Sequence, residues 1–175
     1  MPIGEFAAAS RLSQKALRLY GEKGLLPPTR RLLKEEQMYD VLTRQQGEQA
    51  YISRTRRVLV PDLEPFIVDA FRELGRDGAD GPGFVLYHGP VNAEEDGPVE
   101  VCVPADGGEH SLPAGEVAFT EITGHQCQFP EILGAYDAVY RWARDNGREP
   151  GGPAREIYLS GPGGDERLQI AVPLR

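Results

Sequence analysis

The chain has 175 residues, of which 40% are apolar, and its 19 Lys/Arg against 27 Asp/Glu leave a net charge of −8. That balance excludes a protein that coats nucleic acid with its whole surface, and two cysteines, Cys102 and Cys127, exclude a disulfide framework. No apolar run approaches the roughly 20 residues that span a bilayer, and the first residues lack the pattern of a secretory leader. The expected setting is therefore the cytoplasm, with no membrane partner. The length allows a medium domain with a small appendage. Charge is unevenly spread. Residues 1–36 hold seven Lys/Arg and four acids, a net of +3, so the remainder carries −11. A basic head precedes an acidic body.

The head is expected to be helical. Ile3, Phe6 and Ala7 form one stripe of a short helix, Ser13 is a suitable N-cap, and a second helix runs from about Gln14 to Tyr20 or Gly21. Gly24 stops it, and Leu25-Leu26-Pro27-Pro28 follows. Two short helices with a tight turn, and basic residues on the second, fit a helix-turn-helix. There Arg18 would reach a phosphate or base edge and Tyr20 a phosphate. We place a helix-turn-helix fragment at 1–28, a linker at 29–37 and the main domain at 38–175.

The body reads as one unit written twice. A strand at about 48–58, with Tyr51, precedes a helix from Pro61 to about Gly78 whose apolar stripe is Leu63, Ile67, Ala70, Phe71 and Leu74. Phe84-Val85-Leu86-Tyr87-His88-Gly89-Pro90 then forms a strand and turn, and Val99-Glu100-Val101-Cys102-Val103-Pro104 a second strand. After a loop at 105–115 the order repeats: a strand at about 116–125, with Phe119; a helix from Pro130 to Gly147; Glu156-Ile157-Tyr158-Leu159-Ser160-Gly161-Pro162; and Leu168 to Pro173. Both helices are given a proline at their first position and a glycine at their end. An internal repeat of β-α-β-β is evidence about architecture. The expected fold is α+β: a duplicated antiparallel sheet, halves about 38–104 and 116–175, with two helices on one face and the other face curved and partly open.

Alternation along strands assigns side chains to faces. Val99, Val101 and Val103 should face the helices, leaving Glu100 and Cys102 on the open side. Leu168, Ile170 and Val172 likewise leave Gln169 and Ala171. In 156–159, Ile157 and Leu159 are read as facing the helices, leaving Glu156 and Tyr158 open, with Phe84 and Leu86 near them by repeat alignment. Tyr51 and Phe119 occupy similar places on strands that alternate poorly. The candidate ligand site is thus Glu156, Tyr158, Glu100, Tyr51, Phe84, Leu86, Cys102 and Phe119. Carboxylates among aromatic rings suit a lipophilic cation, although solvated acids on a bare sheet face would give the same pattern.

Other chemistry is sparse. His125 and Cys127 lie two apart without a second pair, so no metal is expected. His88 and His110 fall at turns. Gly161-Pro162-Gly163-Gly164 lacks the following helix and Lys-Ser/Thr of a phosphate loop. No nucleophile–base–orienter set is legible, so neither an enzyme nor a cofactor is expected. Trp142 lies off the apolar stripe of its helix.

Ile3-Gly4-Glu5-Phe6, Leu12-Ser13, Ala16-Leu17-Arg18-Leu19-Tyr20 and Gly24-Leu25-Leu26-Pro27 resemble the start of MerR-family transcription regulators over about 26 residues. Residues 38–175 resemble the GyrI-like effector-binding domain of multidrug-sensing regulators, above all at Val99 to Pro104 and Glu156 to Leu159. The resemblance implies DNA contacts at Arg18, Tyr20 and Lys15. It also implies a buried glutamate of an E-x-Y strand, here Glu156 with Tyr158 beside it, that pairs with cationic aromatic ligands. One departure is large. Only Thr29 to Gln37 separates Pro28 from the body, too few residues for the family's wing and dimerising helix. A homodimer through the body is the remaining way to pair two heads. The resemblance allows three functions: a ligand-responsive transcription regulator at promoter DNA, a drug-sequestering protein without DNA, and a hydrolase using pocket carboxylates.

Overall fold

A computed structural model of the chain describes residues 39–75, 79, 81–160 and 166–175. The head and its expected DNA contacts, Lys15, Arg18 and Tyr20, lie outside the described residues.

Eight strands and two helices follow one another as β1 (Leu42–Gln46), β2 (Gln49–Val58), α1 (Val60–Leu74), β3 (Phe84–Tyr87), β4 (Gly97–Pro104), β5 (His110–Leu112), β6 (Gly115–Thr123), α2 (Ile132–Asp145), β7 (Arg155–Tyr158) and β8 (Arg167–Pro173). The repeat is present as β2-α1-β3-β4 and β6-α2-β7-β8. All strands are antiparallel in one sheet of order β1-β6-β8-β7-β3-β4-β2-β5, so the halves meet where β3 pairs with β7.

Several limits move. Helix α1 has its proline in the first two positions as expected, but it closes at Gly75, with φ 74°, three residues before Gly78. Helix α2 begins at Ile132, two residues after Pro130, which lies outside it. Strand β6 ends at Thr123 rather than near 125, and a one-turn 3-10 helix, Gly124–Cys127, holds His125 and Cys127. The stretch 105–115 is not all loop, because β5 forms within it and places His110 in a strand.

Strands β1 and β5 decide the shape. Leu42 pairs with Phe119 and Tyr51 with His110, nine positions later on one strand and nine earlier on the other, in one antiparallel register. Segments 42–51 and 110–119 are therefore two bent strands lying along each other, with corners at 47–48 and 113–114. Strand β2 also pairs with β4, and β6 with β8. The hydrogen-bonded strands thus run in a closed circuit, which pairs the edges that a flat sheet would expose. The helix-free face, expected to be partly open, is closed on itself. Its side chains Tyr51, Phe84, Leu86, Cys102, Leu112, Ile157 and Ala171 are buried as a cluster of their own.

The helix side carries two further cores. Phe66, Ile67, Ala70 and Phe71 of α1 pack on Val85, Val99, Val101 and Val103. Ile132, Ala135, Tyr136 and Val139 of α2 pack on Ala118, Ile122, Leu168, Ile170 and Val172. The assigned faces of β4 and β8 hold.

Ile170 is fully buried in the second core, whereas Val68 on α1 is exposed. Ile170→Ala should cost about 2–5 kcal/mol of unfolding free energy in a urea titration. Val68→Ala, by contrast, should stay within about 0.5 kcal/mol of the parent.

Candidate functional site

The face assignment of β7 is reversed in the structure. Ile157 and Leu159 belong with the helix-free cluster, while Tyr158 packs against both helix-side cores. Glu156 also lies on the helix side. The reason is physical: with both faces buried, apolar residues occur on both, and alternation loses its meaning. Repeat alignment fails for a related reason. Val85 pairs with Glu156 across the junction of the halves, and both sit on the helix side. Matching the halves by their Gly-Pro turns sets Phe84 against Glu156, one residue out of step, and a slip of one residue inverts every side chain.

The eight candidate residues therefore do not form one cleft. Glu156 and Tyr158 lie on the helix side. Glu100, Cys102, Phe84, Leu86, Tyr51 and Phe119 lie on the other side, inside the circuit, where Tyr51 meets Phe84 edge-on at 5.3 Å between ring centroids.

Around Glu156 the sequence reading missed two participants. The carboxylate is 6% exposed. Tyr136 of α2 donates to Oε1 at 2.6 Å. Tyr87 of β3 donates to Oε2 at 3.0 Å and Tyr158 at 3.3 Å. Phe71 of α1 meets the Tyr158 ring edge-on, with centroids 5.3 Å apart. One carboxylate thus sits at the seam of the two halves beneath both helices, held by three phenols. Tyr87 and Tyr158 are partly exposed, so the cluster reaches the surface there. Tyr136 was legible only as part of a helix stripe and Tyr87 only as part of a strand.

Burial pushes the Glu156 carboxyl above the ordinary glutamate value, and hydrogen bonds from Tyr136, Tyr87 and Tyr158, in that order, oppose the rise. The phenols of Tyr87 and Tyr136 are pushed up in turn, by burial first and by Glu156 second, so they remain donors. In its ionised form such a carboxyl offers one buried negative charge inside an aromatic wall.

Glu100, the other candidate carboxylate, is 8% exposed and meets Nε2 of His88 at 2.6 Å. Tyr51 is pushed up to about 12 by burial and by the Glu100 charge. Burial likewise holds the Cys102 thiol high, so it is no thiolate at neutral pH. A surface hollow of about 880 Å³ is lined by Arg56, Arg57, Asp62, His88, Glu94 and Asp96 among others, and does not include Glu156. No group of three or more His, Cys, Asp or Glu among the described residues could hold a metal.

Residues 91–175 match the family model of the GyrI-like small molecule binding domain, and residues 2–34 match that of the MerR family regulatory protein. The chain joins a MerR-type head to a GyrI-like domain. No curated protein has a matching sequence. Among solved structures, the C-terminal domain of EcmrR is similar with a TM-score of 0.60 at 21% identity, covering 79% of this chain and 98% of that one. EcmrR in its DNA complex is similar with a TM-score of 0.60 at 17% identity, covering 99% of this chain and 98% of that one. A hydrolase from Listeria innocua is similar with a TM-score of 0.51 at 10% identity, covering 82% and 98%. At these identities the likeness establishes the fold, a curled GyrI-like sheet with two helices. The family matches describe a regulator and a binding domain. No helix of the described residues is long and apolar enough to cross a membrane.

Because the folded GyrI-like domain holds the Glu156 proton more tightly than the unfolded chain, this group's stabilising contribution is complete below the unfolded value. It is lost as pH rises through the folded one. Glu156→Gln cannot ionise. The stability of that variant minus that of the parent, from urea titrations between about pH 4 and about pH 8, should therefore grow with pH. A constant difference would contradict the assignment of a raised pKa to this carboxyl.

Proposed function

We propose that the GyrI-like domain binds a lipophilic, cationic organic molecule at the seam between its helices, and that the MerR-type head couples this binding to promoter DNA in the cytoplasm. The observation that carries the reading is the buried Glu156 carboxylate with three phenol donors. A buried charge costs free energy until a counter-charge joins it, and Tyr87, Tyr136, Tyr158 and Phe71 supply ring faces for a flat or polyaromatic cation. The cation would enter past the partly exposed Tyr87 and Tyr158. It would displace phenol hydroxyls from Glu156 and be held by charge in a medium that screens little.

In this reading the head spans about 1–28 and the linker 29–37, with Lys15, Arg18 and Tyr20 meeting DNA. The linker is too short for a wing and a dimerising helix, so two heads would have to be paired through a homodimer of the body. A sequestering protein that binds drugs without DNA uses the same seam and differs only in the head. A hydrolase would need Glu156 as general base and a second group as acid. Glu100 cannot serve there, since it projects into the circuit on the opposite face.

Ethidium, followed by its own fluorescence, should bind the full chain, and Glu156→Gln should weaken it at least about tenfold, equivalent to about 1.4 kcal/mol. Affinity should rise with pH, because the ionised carboxylate is the binding form. Equal affinity for parent and variant would remove the seam from consideration. Anisotropy of labelled DNA from upstream of the gene, against scrambled DNA across a salt series, separates the regulator from the sequestering protein. The regulator prefers its own sequence, with binding that weakens with salt and shifts when the dye is added.

A further inference from the structure

Arg155 precedes Glu156 and projects to the opposite face. It stands in the row Glu100, Leu86, Arg155, Ala171, Phe119 across β4, β3, β7, β8 and β6, with Leu86 between it and the carboxylate. Its exposure is 4%, and neither Nε nor Nη1 has a hydrogen-bond partner. A buried guanidinium is ordinarily paired with a carboxylate. Here the charged side chain that acts on it most is another cation, Arg44; the others are the neutral Tyr51 and Cys102. Glu100, which acts on Tyr51 and Cys102, is engaged by His88 instead. The Arg44 guanidinium carbon lies over the Phe119 ring, 4.5 Å from its centroid, and Nη1 donates to Oε1 of Gln169 at 2.7 Å. Arg44, Phe119 and Gln169 are partly exposed, so the row opens to solvent at that end. Two guanidiniums and an aromatic ring thus share the inner side of the strand circuit, near enough for the two charges to act on each other, and the deeper one has unused donors.

We propose that this end of the circuit is a second binding site, for a small organic carboxylate. Its charged end would lie between Arg155 and Arg44, and its apolar body against Phe119, Ile157 and Leu159. The fork of guanidinium donors fits a planar carboxylate, and the apolar lining selects a hydrophobic acid over an inorganic ion. The two sites are chemically opposite and separated by one sheet, because consecutive residues of β7 project to opposite faces. The seam around Glu156 takes cations, and the circuit around Arg155 takes anions.

Benzoate and its neutral isostere benzamide, titrated calorimetrically into the full chain, test this. Benzoate should bind at least tenfold more tightly than benzamide. Arg155→Met should abolish that preference, and Arg44→Gln, which leaves the buried residue in place, should reduce it severalfold. Glu156→Gln should leave benzoate binding unchanged, so failure here and failure at the seam are distinguishable. Thermal melting supplies the second readout. Benzoate should raise the parent's Tm and not that of Arg155→Met, while the Met variant without ligand should melt at or above the parent, since it removes a buried unpaired charge. Equal binding of benzoate and benzamide, or a benzoate effect that survives in both arginine variants, overturns the proposal.

Discussion

Everything in this domain depends on the pairing of two bent strands, 42–51 with 110–119, in a single register. Each bent strand leads into one half of the repeat and lies along its counterpart from the other half. Strand β1 borders the second half and β5 the first, so the halves are tied at both the β3–β7 junction and the bent ends. Without this pairing the β2 and β6 edges would be unpaired, and the helix-free side chains would form a wet surface. With it, the sheet has two interiors. One is covered by the helices and the other is lined by the sheet's own inward residues.

Two interiors separated by one layer of backbone explain how this short segment can carry opposite charges. Arg155 and Glu156 are adjacent in sequence and both more than nine-tenths buried. Their environments share no side chain. Glu156 is surrounded by phenols that donate hydrogen bonds, whereas the groups that act electrostatically on Arg155 are Tyr51, Cys102 and a second guanidinium. The pseudo-symmetry of the halves sharpens the contrast, because the partner of Glu156 across the junction is Val85. In an otherwise matching pair of halves, a carboxylate thus stands where the other half has a valine. Such off-pattern residues in a locally consistent sequence are where function is expected to reside.

The repeat, the helix count, the α+β class and the faces of β4 and β8 were legible in the sequence, because each rests on short-range periodicity. Val99, Val101 and Val103 alternate with residues that are less apolar, and one period fixes one face. The singling out of Glu156 and Tyr158 was also legible, from the E-x-Y pattern and the family it resembles. The limits of the helices were read less well: Gly75 stops α1 before Gly78 does, and Pro130 precedes α2 rather than opening it.

What the sequence by itself determined is the inventory: two β-α-β-β units, a basic head, and a carboxylate among aromatic residues. The tertiary structure alone decided which residues meet. Closure of the circuit joins segments some seventy residues apart, and no local period reports such a contact. Closure also buries both faces of β7, so that hydrophobicity no longer tells inside from outside. It thereby sends Glu156 to Tyr136 and Tyr87, which no spacing in the chain connects, and Arg155 to Arg44 on the far side of the sheet.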